Sequence, residues 1–163
     1  MFASVKIALT LLFRIKIMAV RRLKLLDAEI VEREEGDGYE AIVKLRFQEG
    51  NFIGIEKFTE NVEQTQIEAI AKATIEGLRE ALPIPVDIYL RKVMKMTPAF
   101  LSDLLLVVIV DMYVDCRKLE LTGCCVCTEK DLYYGIARAT LDSTNRIVDY
   151  LLSKQRIKPK SAF

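Results

Sequence analysis

The strongest constraint on how this chain can fold is that it resembles itself. Displaced by 66 residues, Ala71-Lys-Ala-Thr-Ile-Glu76 lies over Ala137-Arg-Ala-Thr-Leu-Asp142, six consecutive positions that are identical or chemically matched, and Ile70 over Ile136 extends the match. Two helices can look alike by chance, but here the segments ahead of them repeat as well. A unit of about 60 residues buries little apolar surface alone, so the two halves are expected to share an interface.

Three stretches with strand character precede each matched helix. In the first half they are Leu23 to Glu32, Tyr39 to Gln48 and Asn51 to Phe58. The middle one, Ala41-Ile-Val-Lys-Leu-Arg-Phe47, is apolar at alternate positions, as a strand with one buried face requires. Gly36-Asp37-Gly38 and Gly50-Asn51 supply the turns. The second half repeats the order with Val86 to Met96, Leu104 to Val114 and Leu119 to Cys127; the unbroken apolar run Leu104 to Val110 predicts a strand covered on both faces.

Each triplet leads into a helix whose start is readable. Asn61 with Gln64, and Thr128 with Asp131, are spaced as N-cap and N3 residues. Apolar positions then recur at helical spacing through Ile67, Ile70, Ala71, Ile75 and Leu78, and through Tyr133, Ile136, Ala137, Leu141 and Val148. Pro83-Ile84-Pro85 ends the first helix, because proline cannot continue one. The expected fold is therefore α+β: two tandem βββα repeats related by a pseudo-twofold axis, each an antiparallel sheet packed on a helix. The boundaries are a basic extension at 1–21, a first repeat at 22–82, a linker at 83–85, a second repeat at 86–152 and a basic tail at 153–163.

Charge follows these boundaries. The 24 Lys and Arg nearly balance the 23 Asp and Glu, yet residues 1–26 carry only positive charge, as do the last ten. Between Asp27 and Ser153 stand 14 basic and 23 acidic residues, a net of −9. An acidic body disfavours nucleic acid, whose proteins neutralise phosphate. The apolar run Ile7 to Phe13 is far shorter than the about 20 residues of a membrane-spanning helix, and Arg14 and Lys16 stand where a signal-peptide cleavage site would be. The leader reads as a surface helix, an extra strand, or an extension ahead of a natural start at Met18.

The chain has no His, which removes the usual general base, the commonest metal ligand and every Ser-His or Cys-His nucleophile. No catalytic constellation takes its place, so neither an enzymatic activity nor a cofactor is expected. Of Cys116, Cys124, Cys125 and Cys127, only Cys125 and Cys127 share a face of a strand and stand together toward a metal; small buried strand residues account for them without one. Free cysteines in this number suit a reducing, cytoplasmic setting. Carboxylates gather at both helix starts, with Glu60 and Glu63 before the first and Glu129 and Asp131 before the second. They favour the positive helix ends and could form an acidic lip for an ammonium group. With Asn61, Gln64 and Thr128 they make the candidate ligand-binding set. Thr74 matches Thr140, and Lys72 matches Arg138; backbone bonding and solvated charge are the ordinary readings of those pairs.

Two tandem βββα units closed by helices rich in small residues, with the tail Leu121-Thr-Gly-Cys-Cys-Val-Cys-Thr-Glu-Lys-Asp-Leu-Tyr-Tyr-Gly-Ile-Ala-Arg-Ala-Thr-Leu-Asp-Ser-Thr-Asn-Arg-Ile-Val148, resemble a known arrangement. It is the C-terminal regulatory (allosteric, dimerisation) domain of 2-isopropylmalate synthase and citramalate synthase. Thr122-Gly123, Asp131, the small residues Gly135, Ala137 and Ala139, Asn145-Arg146, and Tyr39-Glu-Ala-Ile-Val-Lys-Leu45 carry the likeness, which runs from about Arg22 to Leu152. The resemblance implies an amino-acid ligand at the loops before the helices and, with no catalytic barrel present, a standalone regulatory domain without synthase activity. Where that family has a glycine-rich first loop this chain has Thr59-Glu-Asn-Val-Glu-Gln-Thr-Gln66, so the likeness carries the type of domain and not the ligand.

The expected function is thus a non-catalytic regulatory module binding a small metabolite, with a homodimer or a partner protein as its macromolecular contact. A structural or protein-interaction domain is the alternative, marked by an exposed apolar patch without an enclosed pocket. A third reading, an RNA- or DNA-binding module of double-stranded-RNA-binding-like topology, needs a basic face.

Overall fold

The computed structural model describes residues 22–34, 36–114 and 116–155, the last three of these without their side chains. The basic extension and all but the first three residues of the basic tail lie outside the described residues. The chain runs β1 (Lys24–Glu32), β2 (Tyr39–Phe47), β3 (Gly50–Phe58), α1 (Glu63–Ala81), β4 (Asp87–Met96), β5 (Leu104–Val114), β6 (Arg117–Cys127), a single 3-10 turn (Glu129–Asp131) and α2 (Leu132–Gln155). Two antiparallel sheets, β1-β2-β3 and β4-β5-β6, are each followed by a helix. The fold is α+β, built of two βββα units.

Two of the four β-hairpin turns differ in detail from expectation. The first turns at Gln48-Glu49 and Gly50 already pairs with Phe47; the second pairs Val114 with Arg117. Gln48 and Cys116 take the left-handed conformation, at φ of 56° and 60°. A two-residue hairpin demands positive φ to match strand twist, and closure of the ladder supplies it even without glycine.

The repeat is deeper than its helices. Each first strand carries a bulge, at Leu26 and at Arg91, the same place in the two ladders. Gly54 in β3 and Gly123 in β6 pair with Val43 and Val108, the central inner positions of β2 and β5. A Cβ on Gly54 would lie 1.8 Å from the Ala73 carbonyl oxygen and 2.5 Å from the Gly77 nitrogen; on Gly123 it would lie 2.1 Å from the Ala139 carbonyl and 2.4 Å from the Ser143 nitrogen. Each helix backbone therefore rests directly on its strand, and only glycine permits that approach.

Each helix covers the last two strands of its own sheet and also touches the first strand of the other, α1 against β4 and α2 against β1, while the helices contact one another. The helical pair is thus the shared middle of the core, the reciprocity expected of a pseudo-twofold. Ile67, Ile70, Leu78, Ile136 and Val148 from the helices meet Val43, Leu45, Leu106, Val108 and Val110 from the sheets, all at most 1% exposed. Thr74 and Thr140, also fully buried, donate back to the carbonyls of Ile70 and Ile136 at 2.7 and 2.8 Å. That satisfies each hydroxyl within its own helix.

One expectation about the sheets is corrected. In β5 the even-numbered residues Leu104 to Met112 are buried, while Leu105, Val107 and Ile109 are only half-buried. The apolar run is covered on one face; its other face looks outward. The caps need correction too. The residue capping α1 is Val62, with no side-chain cap, and Thr128 heads the 3-10 turn without bonding a backbone amide through its side chain.

Candidate functional site

The helix starts named from the sequence do come together, through a residue the sequence reading passed over. Lys95, near the end of β4, places its Nζ 3.0 Å from Glu63 Oε2, 3.1 Å from Glu63 Oε1 and 3.1 Å from Glu129 Oε2. Tyr133 in the first turns of α2 donates to Gln66 Oε1 in α1 at 2.7 Å. The Lys95 ammonium therefore ties the start of the first helix to the approach of the second. Its pKa is raised, first by the hydrogen bond to Glu63 and further by Glu129, against an opposing effect of burial. Burial, and then the negative charge of Glu63, push the Tyr133 phenol up.

The remaining candidates are engaged locally. Thr128 donates to Asp131 Oδ2 at 2.8 Å, Gln64 donates to Glu68 Oε1 at 2.7 Å, and Gln66 donates to Asn61 Oδ1. Glu60, Asn61, Glu63, Gln64, Thr128, Glu129 and Asp131 are all exposed. The structure brings Glu63 and Glu129 together, and leaves Asn61, Gln64, Thr128 and Asp131 paired with near neighbours. Carboxylates at helix starts, neutralised by one lysine, form a clasp between the repeats more readily than a receptor.

Cys125 and Cys127 point to the inner face of β6, opposite Leu106 and Leu104, whereas Cys124 lies on the outer face. Burial pushes both inner thiols up, which keeps them protonated and poor as nucleophiles. No group of three or more His, Cys, Asp or Glu that could hold a metal forms among the described residues.

Two further features went unread in the sequence. The first is a pair of related clefts, each formed where a helix meets the opposite repeat's first strand. The cleft between α1 and β4, about 240 Å³, is lined by Lys72, Ile75, Glu76, Arg79, Ile88 and Leu90 among others. The cleft between α2 and β1, about 410 Å³, is lined by the matching residues Arg138, Leu141, Asp142, Asn145, Leu23 and Leu25. In the smaller one the polar groups are satisfied internally. Lys72 pairs with Glu56 at 3.6 Å, while Arg79 binds Glu76 and the Ile88 carbonyl and lies 5.5 Å from the Tyr89 ring centroid. In the larger one Asn145 replaces Arg79, and its Oδ1 is buried without a hydrogen-bond partner.

The second feature is the outer face of the second sheet. Met94, Met96, Leu105, Val107, Ile109, Cys124 and Val126 occupy outward positions of its three strands, in contiguous rows set by the register. Met96 is 40% and Val126 51% exposed. Polar groups gather at one end, where Asp111 meets Lys118 at 2.8 Å and Arg91 at 3.7 Å, and Arg91 also binds Glu120. The corresponding face of the first sheet mixes ions with apolar residues: Lys44 bonds Asp27 and Glu29, each at 3.1 Å, Glu40 lies 3.6 Å from both Arg33 and Lys57, and Ile53 and Ile55 are exposed between them. The unbroken run at Leu104 to Val110 was the available signal, but it pointed equally to burial inside the domain.

No helix among the described residues is long and apolar enough to cross a membrane. The chain matches no protein-family model and no curated protein.

Proposed function

We propose that this chain is a non-catalytic module of regulatory type that works by association, the outer face of its second sheet packing against the same face of a second copy. The observation that carries the reading is the apolar row structure of that face. Contiguous exposed apolar surface of this kind is uncommon on monomeric proteins and marks interaction sites. Strands of 10 and 11 residues at about 3.3 Å per residue, spaced about 4.8 Å apart, give a face of about 35 by 14 Å. That is about 490 Å² before side-chain relief, below the ~800 Å² per partner of a standard interface, which sets the expected affinity in the weak range. The charges at its edge, Arg91, Asp111, Lys118 and Glu120, already pair with one another. These four ask for no partner of opposite charge, which suits a like copy; Lys92, beside Ile109, and Asp87, beside Tyr113, are the charges on the face without a salt bridge among the described residues.

Sedimentation velocity across a concentration series tests this directly. The full-length protein is expected to form a dimer in the micromolar range and Val107→Lys to remain monomeric. A wild-type chain that stays monomeric at high concentration, or a Val107→Lys variant that associates as well as wild type, would sink it.

Metabolite binding stands as a second reading, and the larger α2–β1 cleft, with exposed Arg138 at its edge, favours it over the mutually paired helix starts. A ligand that binds only the native state must raise the unfolding temperature, so a thermal-shift panel of amino acids and acyl metabolites addresses it.

A further inference from the structure

We infer that the second copy docks with its twofold axis running along β5, so that β4 of each copy lies over β6 of the other. The inference rests on association through the second sheet and specifies how the two faces meet.

Strand register arranges the outward residues of that sheet in rows across its three strands. The row at one end holds Asp87, Tyr113 and Lys118; the middle row holds Lys92, Ile109 and Thr122; the row at the other end holds Met96, Leu105 and Val126. Charge stops at the middle row. Beyond it Met94, Val107 and Cys124 make a row without charge, and the end row has none either.

Sheets packed face to face lie about 10 Å apart, and aligned packing turns their strands by only about 30°. A twofold axis between them therefore runs either nearly across the strands or nearly along them. In an isologous contact each choice dictates which residue meets which. An axis across the middle row lays the charged end of one copy on the apolar end of the other. Asp87 would then face the partner's Met96, and Lys92 would face the partner's Lys92. A carboxylate desolvated by a thioether and a contact between like charges are both unfavourable.

An axis along β5 sets every row against itself in reversed order. Met94 then faces the partner's Cys124 and Met96 faces the partner's Val126, so apolar rows cover apolar rows. Asp87 faces the partner's Lys118, and Lys92 lies one row from the partner's Glu120. Asp87 and Lys92 are the two charges of this face that make no salt bridge among the described residues, and both gain an opposite charge from the partner's β6. Lys118 can serve two carboxylates, since an ammonium has three donors and only one is directed at Asp111, at 2.8 Å. Asp111 meets the partner's Asp111 on the axis, but Lys118 and Arg91 already offset its charge within each copy.

The test is isotope-filtered NMR on full-length protein at millimolar concentration, mixed from copies labelled with ¹³C-methyl methionine and unlabelled copies. Filtered contacts are expected from the Met96 methyl to the partner's Val126 and from the Met94 methyl to the partner's Cys124. Sedimentation velocity adds a charge test. Asp87→Lys, an exposed change that leaves the fold native, should weaken association about tenfold by setting like charges against the partner's Lys118; an axis across the strands predicts no change. A dimer whose Met96 methyl contacts the partner's Asp87 or the partner's Tyr113, or an Asp87→Lys variant that associates as well as wild type, overturns this arrangement and leaves association itself standing. A chain that is monomeric at every concentration overturns both, as do contacts within one chain from Met94 and Met96 to residues 1–21.

Discussion

The two repeats share a skeleton and differ in what they do with their polar groups. The first is closed on itself. Lys44 sits between Asp27 and Glu29 on its outer face, Glu40 serves Arg33 and Lys57, Lys72 finds Glu56, and Arg79 fills its cleft. At the matching places the second repeat has Ile109, Lys92 and Met94, then Leu105 and Val126, then Arg138 with Cys125, and Asn145. The ion pairs around Lys44 and Glu40 are gone, with Lys92 left as the one charge beside the apolar positions named, and a filled cleft has become a larger one. Since the shared skeleton already satisfies the demands of folding, the residues by which the second repeat departs from the first are those free to serve contacts outside the chain.

The shared part of the comparison is the easiest to break. Gly54→Ala and Gly123→Ala each drive a methyl group into a helix backbone, and each should cost about 3 kcal/mol in urea unfolding. Similar losses at the two sites would confirm that the repeats bear their helices alike; a loss at one alone would end the equivalence. Next in size is the contrast of the outer faces. Val107→Lys should weaken self-association about a hundredfold, since it places a charge at the centre of a desolvated contact, whereas Ile42→Lys, the same change on the first sheet, should leave it untouched. Sedimentation of both variants decides this.

The clefts offer a smaller test. Arg79→Asn makes the first cleft resemble the second and removes charged hydrogen bonds, so thermal unfolding should report a loss of about 1.5 kcal/mol. If stability is unchanged, the guanidinium is not what closes that cleft. The smallest effect concerns alkaline pH. Lys95, Tyr133, Cys125 and Cys127 all have raised pKa values in the fold. Stability from a raised group is whole below its ordinary value and is lost as pH climbs through the raised one. Stability should therefore begin to fall near pH 9, as the thiols come into range, and continue to fall above about 10. A Lys95→Met, Tyr133→Phe double variant should flatten the part above 10. Lys44 on the first sheet, raised by its hydrogen bonds to Glu29 and Asp27, and Lys118 on the second, raised by Asp111, act in the same direction, so hydrogen exchange at high pH should loosen both repeats.

Much of this architecture could be read from the chain because the signals were local. Alternation from Ala41 to Phe47 and the helical spacing from Ile67 to Leu78 depend on neighbours a few residues away, and the strands and the first helix fell within two residues of expectation; the second helix begins three residues later, after a 3-10 turn, and runs three residues further. Leu104 to Val110 misled because an apolar run reports hydrophobicity and not direction: half of it faces the core and half faces outward. The capping pairs misled for a different reason, since Asn61 and Thr128 each had a competing side-chain partner, Gln66 and Asp131. Of the candidate site, the carboxylates were legible and their meeting was not. Lys95 lies 32 and 34 positions from the glutamates it joins, and Tyr133 lies 67 from Gln66. The contrast of Arg79 with Asn145 was present in the 66-residue comparison, but its meaning needed the clefts.

Lys95 has one more consequence. A duplicated chain ordinarily has two of everything, yet this lysine has Ile30 as its counterpart, and one ammonium serves both helix starts. To the shared core of the halves this adds an ionic link that has no twin in the other half. A ligand or partner that shifts one helix start must lengthen a bond that also holds the other, so a disturbance on one side is felt on both.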